Sequence, residues 1–296
     1  MTDLILYLTG SHGIRYTRRQ KYKFLKAVIE TFSKFGYETK AITERGTHLL
    51  LGNMEAAKTI VAVGYDTPSR MFLQSNYYPF EENKNKKEEH KNLLLMASIL
   101  VVVVFVLFFI VSSYPQLFEP LLNKVILAGL LMLLSVLVRP RANRVNTERY
   151  TASLAILFDL ASKMYQNKNV AYLLIDQSNT NALGFRILES FKEKEIILLG
   201  TLASHPKLIV SGFDTQRLDS FIAKTDLSWS KKLLEENRVI FDKTQKLLYL
   251  VGVKEDGSAS NTQNSKKVDI NIKRLAAISQ DIQMYLNEKY RTTVTK

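Results

Sequence analysis

The run Leu93–Val111, LLLMASILVVVVFVLFFIV, limits what this chain can be more than any other feature. It holds no charged residue. A helix rises about 1.5 Å per residue, so about 20 residues cross the ~30 Å hydrocarbon core of a bilayer. A surface helix of a soluble protein keeps a charged edge, and this run has none. After SSYPQLFEP, a second largely apolar stretch extends from Leu121 to Val138. The pattern predicts two transmembrane helices, a hairpin over residues 92–138 set inside an otherwise water-soluble chain.

The flanks give the hairpin a direction. Lys84, Lys86, Lys87 and Lys91 precede the first span, and Arg139, Arg141 and Arg144 follow the second. Between the spans the chain offers Glu119 and one cation, Lys124. The excess of cations on the flanks places both of them in the cytoplasm, with the turn around Pro115 outside. On the simpler reading these basic residues only set the topology. The sharper reading is an anionic-lipid site, aided by Arg15, Arg18, Arg19, Lys21 and Lys23. The deep apolar parts hold no Asp, Glu, His or Arg, which argues against an ion or proton path. The partners implied are the lipid bilayer and a membrane protein or second copy packed on the hairpin. Ala128 and Gly129 are small enough to allow close helix approach.

Outside the hairpin, charge and cysteine content exclude several function classes. The net charge of +13 over 296 residues suits an anionic membrane surface or nucleic acid. No nucleic-acid motif accompanies it, so nucleic acid is not an expected partner. With no cysteine, disulfides, thiolate metal sites and a Cys nucleophile are excluded. The opening MTDLILYLTG has too short an apolar stretch for a signal peptide, and its basic residues follow it.

The remaining sequence alternates helical and strand-like segments. RRQKYKFLKAVIETFSKFGYE, from Arg18, has helical spacing at Phe24, Val28, Ile29, Phe32 and Phe35. Strands are predicted at Glu38–Ile42, His48–Leu51, Thr59–Val63, Val170–Ile175, Ile196–Leu199, Leu208–Ser211 and Leu247–Val253. Helices are predicted at Glu148–Tyr165, Gly184–Lys194, Thr215–Lys224 and Ile270–Tyr290, with a charged linker at Glu81–Lys91 and a polar loop at Lys254–Lys267. This is the pattern of an α/β fold, a three-layer sandwich with a mixed, mostly parallel central sheet. Residues 1–91 and 139–296 together supply its strands.

Three segments carry a resemblance. IVAVGYDTPSR resembles the strand and turn "ivvgAHYDS" of the di-zinc exopeptidases, the family of bacterial leucyl aminopeptidases and glutamate carboxypeptidase relatives. NTERYTASLAILFDLA, Asn146–Ala161, resembles their "GANDNASGVAALLELA", and VAYLLIDQSNTNALGFRILESF resembles "vrfvffdaEEiGLlGSraf". The closing VDINIKRLAAISQDIQMYL resembles their last helix. Order and spacing agree over about 200 residues if the hairpin is set aside. The resemblance implies a zinc-exopeptidase-like fold interrupted by the hairpin.

The same resemblance implies that the family's chemistry is absent. Two zinc ions need imidazoles and carboxylates to bind and orient them. The first ligand His falls on Gly64. Asp66 keeps the Asp two residues on, whose family role is to orient that ligand. The bridging Asp falls on Arg149. One guanidinium beside a divalent ion at ~4 Å, with an effective dielectric constant near 20, is unfavourable by about 8 kcal/mol. The paired Glu residues fall on Ser178 and Asn179, which cannot take a proton from zinc-bound water. Thr201 stands in the next ligand region, and the Lys254–Lys267 loop has no His.

The other candidates read as structural. His12, His48, His90 and His205 lack metal spacing. Asp66 and Asp176 suit turn caps, and Arg149 is placed to pair with one of them in the former metal site. Ser178 has no nucleophile elbow around it, and Trp229 reads as core. The expectation is a membrane-anchored, catalytically inactive aminopeptidase-like protein with no catalytic residues, no metal and no cofactor. It would act as a binding, scaffold or regulatory subunit. The alternatives are a metal-dependent peptidase with relocated ligands and an accessory subunit of a transporter or cell-envelope machine.

Overall fold

The computed structural model describes residues 1–69, 76–113, 128–129, 132, 142, 147–178, 183–203, 206–236, 239–261 and 270–291. The chain opens with α1, Thr2–Gly10, an element the sequence reading did not assign, which buries Ile5 and Leu8. α2, Arg18–Lys34, starts at a capping box in which Thr17 and Gln20 bond each other's backbone N–H. Strands β1 Thr39–Thr43, β2 Thr47–Leu51, β3 Thr59–Gly64 and β4 Asn76–Tyr77 follow.

α3 spans Glu82–Ser113. It therefore absorbs Glu81–Lys91, apart from its first residue, which the sequence reading took for a linker. Polar composition suggested the linker, but the segment holds pairs at helical spacing. Lys84 lies 2.9 Å from Glu81, Lys86 2.7 Å from Glu82 and Lys91 2.8 Å from Glu88. Asn85 fixes the start by bonding both the N–H (2.8 Å) and the carbonyl (2.7 Å) of Tyr78. Among the described residues one helix, within Glu82–Val106, is long and apolar enough to cross a membrane, with mean hydropathy 1.8. Its outer half is bare, with Leu93 63% and Phe105 70% exposed. The second expected span, Leu121–Val138, lies outside the described residues except for Ala128, Gly129 and Met132. Those three are helical and exposed.

Beyond it, one π-helical turn at Thr147–Thr151 leads into α4, Ala152–Lys163. Then come β5 Val170–Ile175, β6 Glu195–Leu199, β7 Lys207–Gly212, α5 Thr215–Ile222, β8 Trp229–Leu233, β9 Lys246–Val253, β10 Ser260–Asn261 and α6 Ile272–Arg291. Between β5 and β6 the expected α-helix is instead a 3-10 helix, Leu183–Phe191. Its three-residue turn lines up Phe185, Leu188 and Phe191 on one stripe toward the sheet. β8 was also missed, because its lysines hide the pattern. Trp229 anchors it through Nε1 to Asp281 at 2.7 Å.

One eight-stranded sheet has the order β1-β2-β5-β3-β6-β9-β7-β8. The central strands β5, β3, β6 and β9 are parallel, and antiparallel pairs lie toward both edges. Successive residues alternate between two cores. Val61 and Val63 of β3 face α1, α2, α4, α5 and α6, while Ile60 and Ala62 face Phe80, the 3-10 helix and Phe241. β3 pairs with β5 on one side and β6 on the other, so the topological switch point, where open α/β sheets carry their ligand crevice, falls at its C-terminal end.

Candidate functional site

Gly64 ends β3 at that crevice. A Cβ on Gly64 would lie 2.7 Å from Ser178 Cβ and 2.8 Å from Tyr150 Cζ. Ser178 reaches this place from the end of β5. Its backbone N–H donates to Asp66 Oδ1 at 3.0 Å, and its hydroxyl donates to the same oxygen. The Tyr150 hydroxyl donates to the Ser178 carbonyl at 3.3 Å. Gly64, Asp66 and Ser178 are thus brought together. Asn179 lies outside the described residues.

Arg149 is brought to the same crevice by the π-helical turn, but not as expected. No ion pair joins it to Asp66 or Asp176 among the described residues. Its guanidinium lies 4.0 Å from the centroid of the Tyr77 ring and 5.7 Å from that of Tyr150. Its Nε is buried without a hydrogen-bond partner among the described residues. Tyr77 comes from β4, which pairs with β10. Glu89 of α3 interacts electrostatically with the same guanidinium, so the root of the long helix flanks the site. Burial pushes the Tyr150 hydroxyl up to about 12, and burial also raises Tyr249 well above its ordinary value.

Asp176 serves a different cluster. It forms an ion pair with Lys21 of α2 and accepts the N–H of Thr47 at 3.1 Å and of Gln177 at 2.8 Å. Gln177 adopts a positive φ of 49° at this corner. His48 stands beside it with both ring nitrogens engaged, by the Asp176 N–H at 3.3 Å and the Glu44 carbonyl at 2.8 Å. Sequence reasoning placed Lys21 with lipid-facing cations, and the structure turns it inward.

Arg15 is corrected in the same way. It is fully buried. It donates to the carbonyls of Tyr65 (2.5 Å) and His12 (2.6 Å) and to Thr151 Oγ1 (3.0 Å). Thr67 brackets its backbone from both sides. Burial lowers the guanidinium to about 10, and the neighbouring Asp66 carboxylate works against that fall. Arg15 therefore stays charged at neutral pH. Its grouping with other cations in sequence gave no sign of this.

The residues do not fit a zinc ion. Gly64 offers no donor, the Ser178 hydroxyl is engaged with Asp66, and Arg149 brings a positive charge. Among the described residues no three His, Asp or Glu side chains converge as a metal-binding group. Lys86, Lys87 and Lys91 are exposed on α3. Arg139, Arg141 and Arg144 lie outside the described residues.

No family model and no curated protein sequence matches the chain. Solved structures do. A leucine aminopeptidase precursor from Bacteroides thetaiotaomicron is similar with a TM-score of 0.54 at 9% identity, over 96% of both chains. A glutaminyl cyclase from the same organism gives 0.58 at 9% identity, over 96% of this chain and 97% of its own. A Zn-dependent exopeptidase from Parabacteroides distasonis gives 0.53 at 9% identity, over 96% of both chains. At such identities the likeness is one of fold: the chain has the architecture of zinc-dependent exopeptidases, aminopeptidases and glutaminyl cyclases.

Proposed function

We propose that this chain is a membrane-anchored, catalytically inactive protein of the exopeptidase fold that works by binding, as a scaffold or regulatory subunit of a membrane complex. The observation that carries the reading is the packing at Gly64. Ser178 and Tyr150 occupy the room that a ligand side chain on residue 64 would need. Ser178, which stands where the resemblance puts a general base, hands its hydroxyl proton to Asp66 in a hydrogen bond. The anchor is α3 together with the apolar stretch Leu121–Val138, a two-span hairpin with both flanks in the cytoplasm. Because Glu89, which acts on Arg149, lies only four residues before the apolar run at Leu93, the former site is close to the membrane surface, where a membrane protein or a second copy is a better-placed partner than a soluble peptide.

Metal analysis and peptide hydrolysis on the detergent-purified chain test the reading. The expected result is substoichiometric zinc and no hydrolysis of aminoacyl or glutaminyl substrates above background. About two zinc ions per chain with chelator-sensitive hydrolysis would replace it with a peptidase using relocated ligands. Purification in mild detergent should retain a membrane partner or a dimer.

A further inference from the structure

The first three turns of α3 separate their charges by face. Glu81, Glu82, Glu88 and Glu89 are half-buried on the side that meets the domain, together with Asn85 and the buried Asn92. Lys86, Lys87, His90 and Lys91 are exposed and line one open hollow on the other side. The stretch Glu81–Lys91 has as many acids as lysines, so composition alone conceals this. Lys86 and Lys91 pair with Glu82 and Glu88 of their own helix, exposed pairs that are readily exchanged for another anion. Lys87 and His90 have no acidic partner among the described residues. The cationic face ends where the bare apolar face begins, at Leu93 (63% exposed) and Leu94 (55% exposed). At about 1.5 Å per residue, Lys87 stands only about 9 Å above Leu93 along the axis.

We propose that this face is a binding site for the headgroups of anionic phospholipids. The argument is charge complementarity at one depth. Lysines within a headgroup's reach of the apolar boundary meet phosphodiesters there; Lys87 has no acidic partner among the described residues, and the half-buried Glu82 and Glu88 hold Lys86 and Lys91 only through exposed pairs. The site rests on the membrane-anchor reading of α3 and goes beyond it, because an anchor alone needs no lipid preference. Of the cations that the sequence grouped with it, Arg15 and Lys21 are excluded by their buried contacts.

The test reconstitutes the full chain in phosphatidylcholine vesicles carrying trace spin-labelled phosphatidylglycerol or spin-labelled phosphatidylcholine. Resistance to carbonate extraction is checked first. Wild type should enrich the anionic label over the zwitterionic one by on the order of tenfold, and Lys86→Gln/Lys87→Gln/Lys91→Gln should bring this below about twofold. The Arg triple variant at the same positions should keep the preference, which separates charge from fold. Extraction of wild type by carbonate would overturn the anchor and the site together. Firm insertion with equal affinity for the two labels would overturn the site alone, as would selectivity that survives the Gln variant. Loss of selectivity on adding millimolar inorganic phosphate at constant ionic strength would assign the hollow to a free phosphate instead of a lipid. Unchanged lipid selectivity with loss of a co-purified acidic protein in the Gln variant would assign it to that protein.

Discussion

Ser178 gives both its N–H and its hydroxyl proton to Asp66, and in doing so places its side chain over Gly64. The contact joins the end of β5 to the turn after β3 and leaves no volume at residue 64. Gly64→His should therefore lower stability by about 1–3 kcal/mol, the usual cost of overpacking a filled site. It should bind no additional zinc. Chemical unfolding and metal analysis of the variant check both parts. Adding Ser178→Ala should recover part of the stability but still no metal, because Arg149 remains in place.

Arg149 lies over the ring of Tyr77, with the carboxylates of Glu89 and Asp66 acting on it from outside ion-pair distance. Arg149→Met and Tyr77→Leu should each destabilise the crevice, and together by less than their sum. The coupling should be about 0.5–2 kcal/mol, as for a cation over an aromatic face. Arg149→Met with Asp176→Asn should be additive, because Asp176 is held by Lys21, Thr47 and Gln177. A double-mutant cycle in denaturant measures both. Strong coupling to Asp176 and none to Tyr77 would contradict the observed geometry.

These residues also show where the sequence was readable. The runs TIVAVG, after its first residue, and VAYLLI are apolar because both faces of their strands are covered, so strand, burial and parallel pairing followed together. The resemblance set Gly64, Asp66 and Ser178 at matching motif positions, but the hydrogen bonds that join them carry no local signal in the sequence. What stayed hidden depends on long-range pairing. Tyr77 reaches Arg149 only because the two-residue β4 finds β10, far along the chain. Arg15 sits among exposed basic residues in sequence, and nothing local marks it as the one that three acceptors hold inside. The helix through Glu81–Lys91 was legible in principle. Its Glu–Lys spacings of three and four are those of a helix, while its polar composition is that of a linker.

High pH should unfold the domain. Burial raises the hydroxyls of Tyr37 and Tyr150 to about 12 and also raises those of Tyr65, Tyr172, Tyr249 and Tyr285 well above their ordinary value. Above pH 10 the unfolded chain releases these protons and the folded chain keeps them. The unfolded state then binds fewer protons, so stability falls as pH rises. The stability is fully present below about pH 10 and is lost through pH 10–12. Tyr150 alone accounts for on the order of 2 kcal/mol. Arg15, lowered to about 10, acts in the opposite sense but is one group against six. A phenolate absorbance titration should show part of the 14 tyrosines ionising only as the circular dichroism of the fold is lost. Smooth titration of all of them near pH 10 with the fold intact would contradict the burial.

Phe105 provides a test that separates fold from membrane. It is 70% exposed on α3, so nothing in the domain depends on it. In a water-soluble chain Phe105→Asp would be neutral or would improve solubility. At the centre of a span an Asp costs about 2.5–3.5 kcal/mol of insertion free energy. The variant should thus keep the thermal unfolding of the domain while shifting chain from the carbonate-resistant membrane fraction to the supernatant. Direction can be read in the same preparation, because the chain has no cysteine of its own. Ser113→Cys, at the exposed far end of α3, should react with an impermeant maleimide in intact cells, and Ser33→Cys, exposed on α2, should react only after lysis. Reaction of Ser33→Cys in intact cells would invert the orientation. The lysine face of α3 would then lie against the outer leaflet, and the binding partners of the crevice would have to be sought outside the cell.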